Sequence, residues 1–295
     1  MRIVKNIIML LMLVGIVLAS QERVDALGGN AAFWSDDEAN ISLFPQTINN
    51  FNLANTDGEN FFVSWGDDMK FGFSGGSSTD FLNLSWGMNN MGLNFGLNMV
   101  PAVEADTTTG DLAADAVNVI NASFGMDMDF GDVGAYFDND GGTNLGVKLR
   151  RAQDLWLFSN ALVSFDMETP EEEDAVMSLD VDLYTHLDIA ENTTGLFALG
   201  FGWTNEGESE ITFPAMTFAV ESGWTDWATV RAGFTKDWSL TNTVSGGVMP
   251  SFGLGFNMDN FVLDMNVSAD LFTNPVQKVT GFSSLGATGF NLTYK

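Results

Sequence analysis

Met177-Ser-Leu-Asp-Val-Asp-Leu-Tyr-Thr-His-Leu-Asp-Ile189 alternates with a period of two. Met177, Leu179, Val181, Leu183, Leu187 and Ile189 fall in one row, which only Thr185 interrupts. Ser178, Asp180, Asp182, Tyr184, His186 and Asp188 fall in the other. A helix would scatter these aspartates around its axis, whereas a strand puts them on one face. The run is longer than most soluble strands. One face must meet something apolar and the other something wet. A transmembrane strand between lipid and a water-filled lumen meets both conditions.

Outward from this stretch, strand signals recur every ten to fifteen residues from Asn60 to Tyr294. Leu93, Phe95, Leu97 and Met99 alternate with Asn94, Gly96 and Asn98, and Ala122, Phe124, Met126 and Met128 with Ser123, Gly125, Asp127 and Asp129. Further runs are read over Leu145 to Arg151, Leu155 to Met167, Ile211 to Val220, Trp227 to Thr235, Ser239 to Met249 and Phe252 to Met258. Short connections such as Gly66-Asp67-Asp68, Gly131-Asp132 and Gln153-Asp154 alternate with longer ones such as Pro101 to Asp115, as in bacterial barrels. The rule fails between about Lys236 and Phe272. The expected fold is all-β, a transmembrane antiparallel up-and-down β-barrel of about 14 strands, within a range of 12 to 16.

Composition agrees. The 295 residues carry 31 Gly, 25 Phe, only 6 Pro and no Cys, which excludes disulfides and thiolate metal sites. With 39 acidic and 11 basic residues the formal charge is −28, which argues against nucleic-acid binding. Residues 1–19 read as a secretory signal, with Arg2 and Lys5 before the apolar run Ile7 to Leu18. Residues 20–58 form an N-terminal segment with one candidate strand near Ile41 to Phe51, and residues 59–295 form the barrel.

Within that segment, Gly28-Gly29-Asn30-Ala31, Asp36-Asp37-Glu38-Ala39 and Phe44-Pro45 resemble the N-terminal signature of the long-chain fatty-acid transporter superfamily of outer-membrane barrels, which includes secretion-associated relatives. Its members show Gly-Gly-Ala, Asp-Asp-Ala and Asn-Pro-Ala; here Glu38 is an extra residue and Phe44-Pro45-Gln46 replaces the third element. The resemblance implies a barrel whose N-terminus folds into the lumen as a plug. At the other end, Gly289, Phe290, Leu292 and Tyr294 are similar to the C-terminal signal read by the barrel-assembly machinery, although Lys295 follows the aromatic.

No catalytic constellation is legible, so no enzymatic activity is expected. His186 is the only histidine, shares its face with Asp182 and Asp188, and reads more simply as a polar wall residue. Asp138-Asn139-Asp140-Gly141 lacks the later ligands of a calcium loop and reads as a turn. No metal or cofactor is expected. Alternation points Asp127, Asp129, Asp180, Asp182, Asp188 and Asp264 inward, with Lys148, Arg150 and Arg231. Such charges line selective pores, or pair with one another without a selective role. Trp65, Trp86, Trp203, Trp224 and Trp227 fall at strand ends, where interfacial aromatic girdles lie. The expected role is passive passage of small solutes across the outer membrane of a Gram-negative bacterium, in contact with outer-membrane lipid. The alternatives are a non-transporting barrel with a structural, adhesive or secretion-associated role, and a secreted soluble β-protein.

Overall fold

The computed structural model describes residues 21–76, 80–100, 117–139, 142–170, 174–241, 247–267 and 287–295. The expected signal at 1–19 lies outside them. Sixteen antiparallel strands close in chain order into one barrel. They are β1 (Leu53–Thr56), β2 (Phe61–Gly66), β3 (Met69–Gly75), β4 (Asp80–Met88), β5 (Met91–Val100), β6 (Val117–Met128), β7 (Gly131–Asp138) and β8 (Gly142–Leu155). They continue as β9 (Phe158–Pro170), β10 (Val176–Ala190), β11 (Thr193–Glu206), β12 (Glu208–Thr225), β13 (Ala228–Ser239), β14 (Met249–Met258), β15 (Phe261–Val267) and β16 (Ala287–Tyr294). The count is sixteen rather than about 14, because short runs expected to merge stay separate across two-residue turns.

Those turns all fall at one end. Asp67-Asp68, Asn89-Asn90, Asp129-Phe130, Trp156-Leu157, Glu191-Asn192, Asp226-Trp227 and Asp259-Asn260 each join successive strands. Asn89, Trp156 and Asp259 have φ of 55°, the left-handed conformation that two-residue hairpins need. At the opposite end most connections are longer. The alternation therefore holds at β13, β14 and β15, within the region from 236 where the rule read from sequence fails; residues 242–246 and 268–272 of that region lie outside the described residues. The stretch Ser239 to Met249 is not one strand: β13 ends at Ser239 and β14 begins at Met249. Likewise the β8–β9 turn sits at Trp156-Leu157 rather than Gln153-Asp154, because a register irregularity between Ala152 and Leu155 lengthens β8.

Cross-strand register assigns the faces. Leu183 pairs with Leu199 and Ala161, and Leu199 with Met216, in one apolar row. Asp182 pairs with Gly200 and Leu162 in the adjacent, inward row. The outward rows leave large apolar side chains exposed, among them Phe71, Leu84, Phe95, Phe124, Val147, Phe165, Phe201, Phe234 and Phe290. A soluble sandwich would bury one such face against a second sheet. Here the buried apolar side chains gather inside the barrel.

What fills the inside is the N-terminal segment. Helix α1 (Gln21–Ala26), a 3₁₀ turn at Ala31–Phe33, helix α2 (Asn40–Leu43) and a second 3₁₀ turn at Pro45–Asn50 lead to β1. The strand expected near Ile41 to Phe51 is absent. Pro45 lacks the N–H a ladder needs and starts the 3₁₀ turn instead. Ile41 and Ile48 are both buried, which a helical path through the lumen allows. Leu27, Phe33, Trp34 and Phe44 pack against Leu162, Tyr184, Leu196, Ala198 and Ala219 of β9–β12. Inward glycines give the segment room: a methyl group on Gly92 would overlap the Pro45 backbone, and one on Gly134 the Leu43 carbonyl.

Replacing Gly92 by Val is expected to displace the Pro45–Asn50 turn while the strands remain, since overpacking of this kind costs about 1–3 kcal/mol. Trypsin cleavage after Arg23 in the folded barrel should then accelerate; an unchanged rate would contradict the close approach.

Candidate functional site

Two inward arginines hold the segment. On β8, Arg150 donates from Nε and Nη2 to Asp132 Oδ2 at 3.0 and 2.8 Å. Its Nη1 donates to Asn40 Oδ1 at 2.9 Å and to the Ala32 carbonyl at 3.1 Å. The guanidinium lies 4.4 Å from the centre of the Phe44 ring, and Gln46 Nε2 donates to the other Asp132 oxygen at 3.1 Å. Arg150 thus ties the wall to three residues of the segment, using the donor fork that lysine lacks, and Asp132 adds Gln46 as a fourth.

On the far wall the chain of charges is longer. Arg23 of α1 donates to both oxygens of Glu221, at 2.9 and 3.0 Å, and to Asp37 at 2.6 Å. Glu221 also receives Arg231 Nε at 2.5 Å, and Arg231 Nη1 reaches Asp264 at 2.6 Å. Asp37 and Asp264 are almost fully buried, so their charges depend on these partners. At the chain end Lys295 reaches Glu38 at 3.5 Å. Asn94 donates to the Ile41 carbonyl, Asn49 to the Asn89 and Met91 carbonyls, and Ser251 to the Ala26 carbonyl.

The nine charged positions singled out from alternation therefore divide by role. Arg150, Arg231 and Asp264 are buried in ion pairs. Lys148, Asp180 and Asp182 line a cavity of about 350 Å3 between β8–β10 and the segment, together with Asp166, Asn30 and Ser42. Asp127 and Asp188 are exposed near the tight-turn end of β6 and β10. Asp129 is not on a strand at all: β6 stops at Met128 and Asp129 begins the turn, because Gly131 starts the next strand. A second cavity of about 250 Å3 adjoins at Asp166 and is lined by Tyr136, Asp138, Asn144, Glu168 and Ser178. Tyr136 donates to Asp166 at 2.8 Å and Lys148 reaches the same carboxylate at 3.6 Å. His186 meets the Trp34 and Tyr184 rings at centroid distances of 5.1 and 5.9 Å, so it packs against the segment rather than joining a nucleophile.

Sequence reading missed Asp132, Asp166 and Glu221, of which the first and last each face a residue it did identify. Asp132 faces Arg150, and Glu221 faces Arg231, across one strand pair. Extending the period of two by one residue past Val220 would have found Glu221. Among the described residues no cluster of three or more His, Cys, Asp or Glu could hold a metal ion.

No protein family matches the chain, and no curated protein matches it. Among solved structures it is similar to a mutant of Rh. blastica porin, with 9% identity, 80% of this chain and 88% of that chain covered, and a TM-score of 0.39. These comparisons give no specific support for the fatty-acid transporter superfamily.

Replacing Arg150 by Gln leaves Asp132 with a neutral partner and is expected to weaken docking of the segment by about 3–5 kcal/mol, the cost of breaking a buried pair. Urea titration followed by protease release of residues 21–52 reads this directly, and a change under about 1 kcal/mol would contradict the clamp. A second expectation concerns pH. Burial pushes the Glu38 carboxyl above its ordinary 4.5; Lys295 opposes the rise and Asp37 adds to it. A carboxyl raised on docking favours the docked form below its ordinary value and loses that contribution as pH rises through the raised value. Docking should thus weaken as pH climbs from about 4 towards neutrality, and Glu38→Gln should flatten the slope. An unchanged slope in the variant would assign the effect elsewhere.

Proposed function

We propose that this protein is a bacterial outer-membrane barrel for passive passage of small solutes through an acidic lumen that its own N-terminal segment narrows. The observation that carries the reading is the pair of polar cavities meeting at Asp166, the first between the segment and the β8–β10 wall and the second lined by β7–β10 alone. Asp138, Asp166, Glu168, Asp180 and Asp182 line them against the single cation Lys148. Barrels of sixteen or more strands are wide enough to enclose water. A rim of exposed apolar side chains around a closed sheet suits lipid, since closure leaves no edge unpaired. The ends of the chain fit assembly in that membrane, with Gly289, Phe290, Leu292 and Tyr294 as the signal for the assembly machinery.

The discrimination is modest. Opposite charges about 4 Å apart gain only about 1 kcal/mol in a wet pore, and physiological salt screens beyond about 8 Å. A reversal potential across a planar bilayer under a salt gradient should therefore show a weak cation preference that falls at high salt. Asp180→Asn with Asp182→Asn should diminish it, whereas changing Asp264 should not, because Arg231 already neutralises it. A reversal potential of anionic sign would refute the assignment.

The close packing of Leu27, Phe33, Trp34 and Phe44 against the inner wall favours a second reading, a barrel fully plugged at rest. Under it, conductance is absent until residues 21–52 are removed, and large afterwards.

The membrane part of the reading has its own test. Leu183 lies at the middle of β10 in the outward row. Leu183→Arg is expected to cost about 2–4 kcal/mol when folding is measured in lipid bilayers, the value for a charge at the midplane. Asp182→Asn should cost much less, and equal costs would sink the lipid-facing assignment.

A further inference from the structure

The outward rows are not uniformly apolar. At the register-paired positions of the described strands they carry two charged side chains, Arg151 on β8 and Lys236 on β13, and no carboxylate. In a chain with 39 acidic and 11 basic residues that bias is against the composition. Lys236 pairs with Met216 across β12, in the same outward row as Phe234. It lies three residues before the end of β13 at Ser239, at the end of the barrel opposite the tight turns, and its ammonium is 5.0 Å from the centre of the Trp238 ring.

Directly below Lys236 on that face is an apolar cavity of about 540 Å3, lined by Phe218, Val220, Ala232, Phe234, Val248 and Phe252. Its cause is local. Ala232 sits between Val220 and Phe252 in the register, so a small side chain forms the floor where its neighbours are large. Phe218 and Phe234 stack at 5.6 Å to form one wall. The volume is within the range of sites that enclose small ligands, about 300–1,000 Å3.

From this juxtaposition we infer that the β12–β14 face holds one lipid whose anionic phosphate headgroup meets Lys236 and whose acyl chain lies in the groove over Ala232. The inference rests on the membrane reading above. A lysine near the rim of the apolar belt costs little, and a tryptophan beside it suits the headgroup level. Charge sets the occupant: a phosphate with no basic headgroup group is attracted, and a zwitterionic lipid is favoured less. The groove supplies what Arg151 at the opposite end lacks, because none of the described cavities has Arg151 in its wall.

The full barrel in nanodiscs of equimolar phosphatidylglycerol and phosphatidylcholine, released and weighed by native mass spectrometry, tests it. Wild type should retain one phosphatidylglycerol in preference. Lys236→Gln should reduce that preference about fivefold, the effect of one basic residue at an anionic surface. Ala232→Trp, which fills the groove floor, should release the retained lipid while the barrel keeps its folded migration on gels, and Arg151→Gln should match wild type. Equal retention in Lys236→Gln and wild type overturns the site while leaving the membrane reading intact, and so does loss confined to Arg151→Gln. Displacement by inorganic phosphate overturns the lipid as occupant. Failure of the wild-type barrel to enter bilayers overturns both readings.

Discussion

The structure depends on the closure of its backbone hydrogen bonds between the first strand and the last. β1 is only four residues long, and it joins β16 through the pairs Ala54–Tyr294, Asn55–Thr293 and Thr56–Leu292. Without this seam the sheet would end in two rows of unpaired N–H and C=O groups, so the seam decides whether the sheet is a barrel at all. It is reinforced from within. Leu53 and Phe62 join Ile41 and Ile48 in a buried cluster, and Lys295 reaches back to Glu38. The segment inside therefore supports the shortest part of the wall as well as occupying the lumen.

Width explains the rest of the interior. A barrel of about eight strands is filled by its own side chains, and one of sixteen is not. Here the gap is closed on one side by a segment with its own apolar core and left open on the other. The inner wall follows that division. Leu162, Leu196, Ala198 and Ala219 are apolar where the segment rests, and Ser164, Asp166, Asp180 and Asp182 are polar where it does not. Inward glycines at 87, 92, 125, 134, 233 and 253 lie under the segment backbone or its side chains. The same period of two that separates outer face from inner face thus carries a second pattern along the inner face.

The electrostatics of the lumen follow from pairing rather than from the formal charge. Arg23, Arg150 and Arg231 are each surrounded by acceptors, and Glu221 accepts from two of them. These groups are at the wall–segment contact and contribute little field to open space. Asp138, Asp166, Glu168, Asp180 and Asp182 line the cavities along β7–β10, where Lys148 is the one basic residue of the lining.

The period of two by itself determined the class of fold, the facing of Leu183 against Asp182, and the antiparallel order, because side-chain direction along a strand is a local property. The strand that closes the barrel on Tyr294 was not legible: β1, Leu53–Thr56, lies within the stretch read as an N-terminal segment. The period of two separated the runs on either side of Asp259-Asn260 but allowed adjacent short strands to merge across such turns, hence about 14 expected where sixteen stand. It misread Ile41 to Phe51 as a strand, because apolar residues inside a lumen need no alternation once buried on every side. Nor could it separate Asp264 from Asp182, two inward aspartates with the same local pattern. That difference was decided by tertiary structure alone: Arg231 lies 33 residues from Asp264, and Arg23 lies 198 residues from Glu221. Partners that far apart along the chain meet only when successive strands pair side by side and the segment folds inside them.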